Sequence, residues 1–144
     1  MTRVDFYILE RHPDHGRELL ACRIAEKAVG RGLRVHVHVD DAAQGERLDQ
    51  LMWTFRDGSF LPHAIGDGSE AETPVSIHHA VEPVGHEVLI NLAREVPVFF
   101  SRFERVAEVI DSQPDTREAG RERFRFYRER GYALETHRIE ALGP

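Results

Sequence analysis

Residues 3–9 read RVDFYIL, residues 18–32 ELLACRIAEKAVGRG and residues 33–39 LRVHVHV, and the change of period across these three stretches decides the fold. In the first, Val4, Phe6 and Ile8 fall on one face at the two-residue repeat of a strand. In the second, Leu20, Ile24, Ala25 and Ala28 recur at helical spacing, which predicts a helix from about Arg17 to Arg31 that Gly30 or Gly32 can close. The third alternates again. A strand, a helix and a second strand in that order form the unit from which parallel sheets are built.

The alternation continues downstream. DDAAQGERLDQLMW (40–53) opens with aspartates suited to cap a helix and sets Leu48, Leu51 and Met52 on one side. From Arg56 to Pro74 the turn-forming residues of RDGSFLPH and GDGSEAETP predict exposed but ordered loop. VSIHH (75–79) and HEVLINL (86–92) read as strands, VPVFFSRF (96–103) as a short helix or turn, and RVAEVID (105–111) as another strand. DTREAGRERFRFYRER (115–130) follows a proline and is the last long helix, ended by Gly131, and YALETHRI (132–139) is a final strand. The expected architecture is α/β: one domain over residues 1–144, with a mainly parallel sheet and helices on both faces.

Composition narrows the function classes. With 41% hydrophobic and 31% charged residues and no apolar run near the ~20 residues of a membrane helix, the chain reads as a soluble, cytoplasmic protein with no membrane partner. MTRVDFYILE enters a strand directly and carries no secretory pattern. Cys22 is the only cysteine, which excludes an internal disulfide or a CxxC site, and its place in a helical stripe predicts a small core residue. No glycine loop follows the first strand, where ERHPDHGRE stands, and no GxGxxG or GxxxxGK[ST] occurs anywhere. The nine histidines, among them His12 and His15, His36 and His38, and His78 and His79, show no HExxH-type spacing. Neither a cofactor nor a metal is therefore expected. A nucleotide- or metal-dependent enzyme on the same fold remains the rival reading, and direct binding of single-stranded DNA a third.

Two stretches point to partners. Trp53 follows a helix, and Phe60, Leu61 and Pro62 sit in a polar loop, placing large apolar groups where a core does not demand them. The net charge is −6, yet GRERFRFYRERG (120–131) holds five arginines and three aromatics. With Arg117 at zero, 100° per residue puts Arg121 at about 40°, Phe124 at about −20°, Arg128 at about 20° and Arg125 at about 80°. These guanidiniums flank one outward ring, while Phe126, opposite, and Tyr127, on a shoulder, are placed to hold the sheet. A single ring among arginines suits a short acidic peptide with an aromatic end better than a run of stacked bases.

In order and spacing, DFYIL, Leu48 to Trp53, SFLPH (59–63), EVLINL and RERFRFYRERGYAL (121–134) resemble the chi-subunit family of the bacterial DNA polymerase III holoenzyme. The resemblance implies a Rossmann-like fold without nucleotide and a non-catalytic accessory subunit. In that family the chi protein links the clamp loader, through a 1:1 pairing with the psi subunit, to the acidic C-terminal tail of single-stranded DNA-binding protein, so that it meets nucleic acid only indirectly. By the same resemblance, Trp53, Phe60, Leu61 and Pro62 match positions that hold psi. Arg117, Arg121, Phe124 and Arg125 match the tail pocket, with Ile110 as an apolar wall, and helical spacing adds Arg128 to the same face. Arg117, Arg125 and Phe124 stand where relatives carry lysine or tyrosine.

Overall fold

Strands and helices alternate along most of the chain: β1 (Arg3–Leu9), α1 (Gly16–Gly30), β2 (Val35–His38), α2 (Ala42–Thr54), β3 (His63–Ile65), β4 (Val75–His78), β5 (Val88–Asn91), β6 (Arg105–Ile110), α3 (Pro114–Glu129) and β7 (Ala133–Ile139). A single 3-10 turn, Phe100–Arg102, lies between β5 and β6. The structure, a computed structural model, describes residues 1–142 apart from His12 and Ser59. His12, the serine of SFLPH and the last two positions of the expected 1–144 domain lie outside the described residues. Among the described residues the strands form one sheet in the order β3-β4-β2-β5-β6-β1-β7, with every pairing parallel.

Local chemistry sets the ends of the helices. The Asp41 carboxylate accepts a 2.8 Å hydrogen bond from the Gln44 backbone N–H and caps α2. Pro114 opens α3, where its missing N–H costs nothing, and Gly131 at φ 76° turns the chain out of it. The one strand that sequence pattern misses is β3, inside the stretch expected to be loop. Three residues are too few for a period to show, and β3 exists because β4 offers it an edge. The loop after it is ordered by Arg34, whose guanidinium donates to the carbonyls of Glu70 (2.8 Å), Ala71 (3.0 Å) and Thr73 (3.0 Å).

Alternation along each strand divides the core in two. Odd residues of β1 and β6, such as Leu9, Ala107 and Val109, face the side of α1 and α2. Even residues, Val4, Phe6, Val106 and Ile110, face α3 and the aromatic turn at Phe99, Phe100 and Phe103. Helices therefore cover both faces. At the carboxyl ends of β1 and β6, where the two chain directions diverge and related folds bind nucleotides, side chains fill the space. Arg17, in the first turn of α1, donates to the carbonyls of Val109 (3.0 Å) and Leu92 (3.3 Å). Gly16 packs so tightly beneath it that a Cβ there would stand 2.8 Å from Leu9 Cδ2.

Candidate functional site

One face of α3 is bolted to the sheet by a buried ionic network. Glu108 on β6 is fully buried, and its Oε1 accepts a 2.7 Å hydrogen bond from Arg123 Nε while its Oε2 accepts from Tyr127 Oη (2.7 Å) and Asn91 Nδ2 (3.0 Å). Arg123 Nη1 also donates to the Arg94 carbonyl at 2.9 Å. Burial and the neighbouring Glu108 carboxylate push the Tyr127 hydroxyl far up from its ordinary pKa, so it stays a proton donor. Sequence reading places Arg123 in the positive cluster and Tyr127 on a shoulder. Here both lie at the centre of the buried face. The signal that finds the pair is their i, i+4 spacing together with a glutamate set in the apolar run of β6, Val106 to Ile110.

The two phenylalanines then lie on opposite flanks. Phe126 meets Phe100 edge-on at 5.6 Å with the Arg130 guanidinium 3.6 Å above its ring. Phe124 does not project outward as its helical angle suggests. It is half-buried, edge-on to Phe6 at 5.1 Å, with the Arg128 guanidinium 6.0 Å from its ring centre. Ile110 is almost wholly buried beside it and rests on Gly120, where an added Cβ would stand 2.8 Å from its Cγ1. The helix therefore sits low on the sheet at this point. An apolar seam of Phe124 with the margin of Ile110 runs along the foot of an exposed arginine stripe.

That stripe is Arg117, Arg121, Arg125 and Arg128, all exposed. None of the four has a carboxylate partner among the described residues, whereas Arg3, Arg11, Arg56, Arg102, Arg105, Arg123 and Arg138 all do. Four unneutralised guanidiniums within three turns, beside an apolar seam, make a surface for a ligand that carries both anionic groups and a ring.

The second sequence-derived group divides. Trp53 is 48% exposed and Phe60 78% exposed, their rings 6.2 Å apart, and Pro62 borders them. Leu61 turns inward and is 4% exposed, so it belongs to the core and supports the patch from below. The extended run Phe60–Leu61–Pro62–His63 sends alternate side chains in opposite directions, which is why one of two adjacent apolar residues is lost to the surface. His63 fastens the run, its Nδ1 2.7 Å from the Leu61 carbonyl oxygen and its Nε2 3.0 Å from that of Asp49, and Trp53 lies 4.2 Å from its ring.

The remaining chemistry-bearing residues are structural in their setting. Cys22 is buried, and burial pushes its thiol up to about 12, away from nucleophilic use. His36 bonds Ser76 Oγ through Nδ1 at 2.6 Å, and burial pushes its pKa down to about 3. Asp5, Glu135 and His137 are the one group of three close potential metal ligands among the described residues. Burial alone would raise the Asp5 pKa, but hydrogen bonds from His137 and Arg3 and the charge of Arg3 outweigh it and hold it low. With Arg3 at 3.2 Å and Arg105 at 3.4 Å, that carboxylate is already answered by cations.

Comparison with known proteins decides the family. Residues 1–135 match the family model described as DNA polymerase III chi subunit, HolC. The chain belongs to the DNA polymerase III chi subunit family. It is 44% identical over 143 residues to the DNA polymerase III subunit chi of Pseudomonas aeruginosa, covering 99% of this chain and 100% of that one. The corresponding subunit of Escherichia coli is 29% identical, over 94% of this chain and 97% of the relative. That of Haemophilus influenzae is 26% identical, over 93% and 95%. Membership in the chi family places the chain among the subunits of DNA polymerase III and in DNA replication. A chain in the crystal structure of T4 UvsW superposes with a TM-score of 0.64 at 10% identity, over 98% of this chain and 42% of that one, and shares the α/β fold. No helix among the described residues is long and apolar enough to cross a membrane.

Proposed function

We propose that this chi-family chain is a non-catalytic cytoplasmic subunit that links the clamp-loader complex to single-stranded DNA-binding protein, holding the acidic C-terminal tail of that protein on α3 and the psi subunit on the Trp53 surface. The observation that carries the first half is the exposed, unpaired stripe of Arg117, Arg121, Arg125 and Arg128 along the Phe124 seam. A terminal carboxylate can take two parallel N–H bonds from one guanidinium, the terminal ring can lie on the seam, and upstream aspartates see the remaining positive field. Trp53 and Phe60 are exposed aromatic rings side by side with the half-buried Pro62 next in the chain, the character of a partner's anchor point. Psi is expected there in a 1:1 pairing, and nucleic acid is met only through the tail-bearing protein.

The test is calorimetric titration with an acidic peptide ending in phenylalanine, in free-acid and amidated forms. The free acid is expected to bind in a salt-sensitive way and the amide far more weakly. Equal affinity of the two forms, or tighter binding of a bare oligonucleotide than of the peptide, would overturn the reading.

A further inference from the structure

The face of the sheet opposite α3 is incompletely covered. There α1 packs over β2, β5 and β6, and α2 over β3 and β4. Beyond α1, on β1 and β7, Tyr7, His137 and Ile139 remain half-buried. Between α1 and this uncovered end lies a cleft of about 250 Å³. Leu20, Ile24, Ala28, Leu33 and Ala107 form its apolar walls.

Its rim is cationic. Arg23, Lys27 and Arg31 follow one another at four-residue intervals along the α1 edge, and Arg105 faces them from the start of β6. Lys27 and Arg31 are exposed and have no carboxylate partner among the described residues. The one acid in the lining, Asp5, is 2% exposed and already bonded by His137 at 2.9 Å, Arg3 at 3.2 Å and Arg105 at 3.4 Å. Lys27 and Arg31 thus stand as two unanswered cations on the rim of an apolar cleft whose one carboxylate is already bonded. The Tyr7 ring, stacked on His137 at 4.8 Å, also lines the cleft, and its hydroxyl has no hydrogen-bond partner among the described residues. Burial and the Asp5 charge hold that hydroxyl protonated, so it is an open donor.

We propose that this cleft is a binding site for a small amphipathic anion, a ring-sized apolar group bearing a carboxylate, sulfonate or phosphate, with the ring between Ile24 and Ala28 and the anionic group at Lys27 and Arg31. The volume suits one or two rings rather than a long chain, and the rim carries the charge of one sign that such a ligand requires. The site lies on the other side of the sheet from Arg121 and does not depend on the α3 surface.

The probe is 1-anilinonaphthalene-8-sulfonate, followed by fluorescence and by amide shift mapping on the intact 15N-labelled chain, with N-phenyl-1-naphthylamine as its uncharged analogue. The sulfonate is expected to shift the amides of Tyr7, Ile24, Ala28 and Ala107, and to bind about tenfold tighter than the uncharged analogue at low salt. Lys27→Glu with Arg31→Glu, both at exposed positions, should weaken it by about tenfold or more, and Ala28→Trp should block the cleft. Arg121→Glu should leave it unchanged. Shifts confined to Trp53 or α3, or equal binding of the charged and uncharged probes, would overturn the proposal. So would unchanged affinity in the doubly reversed variant. Displacement of the probe by the acidic phenylalanine-ended peptide would overturn the small-ligand assignment and mark a peptide site instead.

Discussion

Arg121 and Arg123 are two residues apart and do opposite jobs. Arg121 is exposed and unpaired, so its removal takes little from the fold and, on the proposed function, one contact from the peptide. Arg121→Ala is expected to weaken the acidic peptide by more than about 1.5 kcal/mol while leaving the melting temperature within error, measured by calorimetry and thermal denaturation. Arg123 is locked to Glu108, and Glu108→Gln would leave a guanidinium buried without its counter-charge. A loss of about 3 kcal/mol in urea denaturation is expected there, and no loss would mean that the pair is not a support of the fold. His36 supplies a pH dependence of known sign. Its folded pKa of about 3 lies below the ordinary 6.5, so the unfolded chain takes up a proton that the folded one refuses, and its stability contribution is full above pH 6.5 and lost as pH falls toward 3. From pH 7 to pH 5 this amounts to ~2 kcal/mol. His36→Asn should flatten that slope, measured by urea titration at the two pH values, whereas Asp5 contributes its loss only below its ordinary value of 3.8.

At the scale of the element, α3 shows how one helix serves two masters. Its buried side is Ala119, Gly120, Arg123 and Tyr127, and its exposed side is the arginine stripe. Gly120 costs roughly 1 kcal/mol of helix propensity relative to alanine, and the close approach to Ile110 is what requires it. Gly120→Ala should therefore destabilise the protein by about 1–3 kcal/mol despite the better helix former, and Ile110→Val in the same chain should restore part of it. A stabilised Gly120→Ala variant would mean that the helix can lift without consequence. Peptide affinity should fall in parallel, because a raised α3 opens the seam at Phe124. The stripe was legible from helical angles, since exposed positions obey geometry. The seam was not, because the depth at which Phe124 sits depends on Phe6 and Ile110, which come from other strands.

For the whole molecule, the two proposed partner surfaces sit on elements packed against opposite faces of the sheet, α3 on one side and the end of α2 with its following loop on the other. Sites with no shared contacts combine additively. Trp53→Ala is accordingly expected to abolish co-purification of psi while leaving the peptide titration unchanged, and loss of both would indicate misfolding. The sequence by itself determined the α/β class, the places of all strands but β3, the ends of the helices and the arginine-rich surface, because period, capping and turn chemistry act over a few residues. It also separated Trp53 and Phe60 as apolar groups out of place. Only the tertiary structure decided that Leu61 turns inward, that Arg123 is buried, that Phe124 lies half-buried against Phe6, and that a cleft opens beyond α1. Each of these depends on which strand lies beside which, and the order β3-β4-β2-β5-β6-β1-β7 pairs residues as distant in sequence as Arg3 and Ala133, beyond the reach of any local pattern.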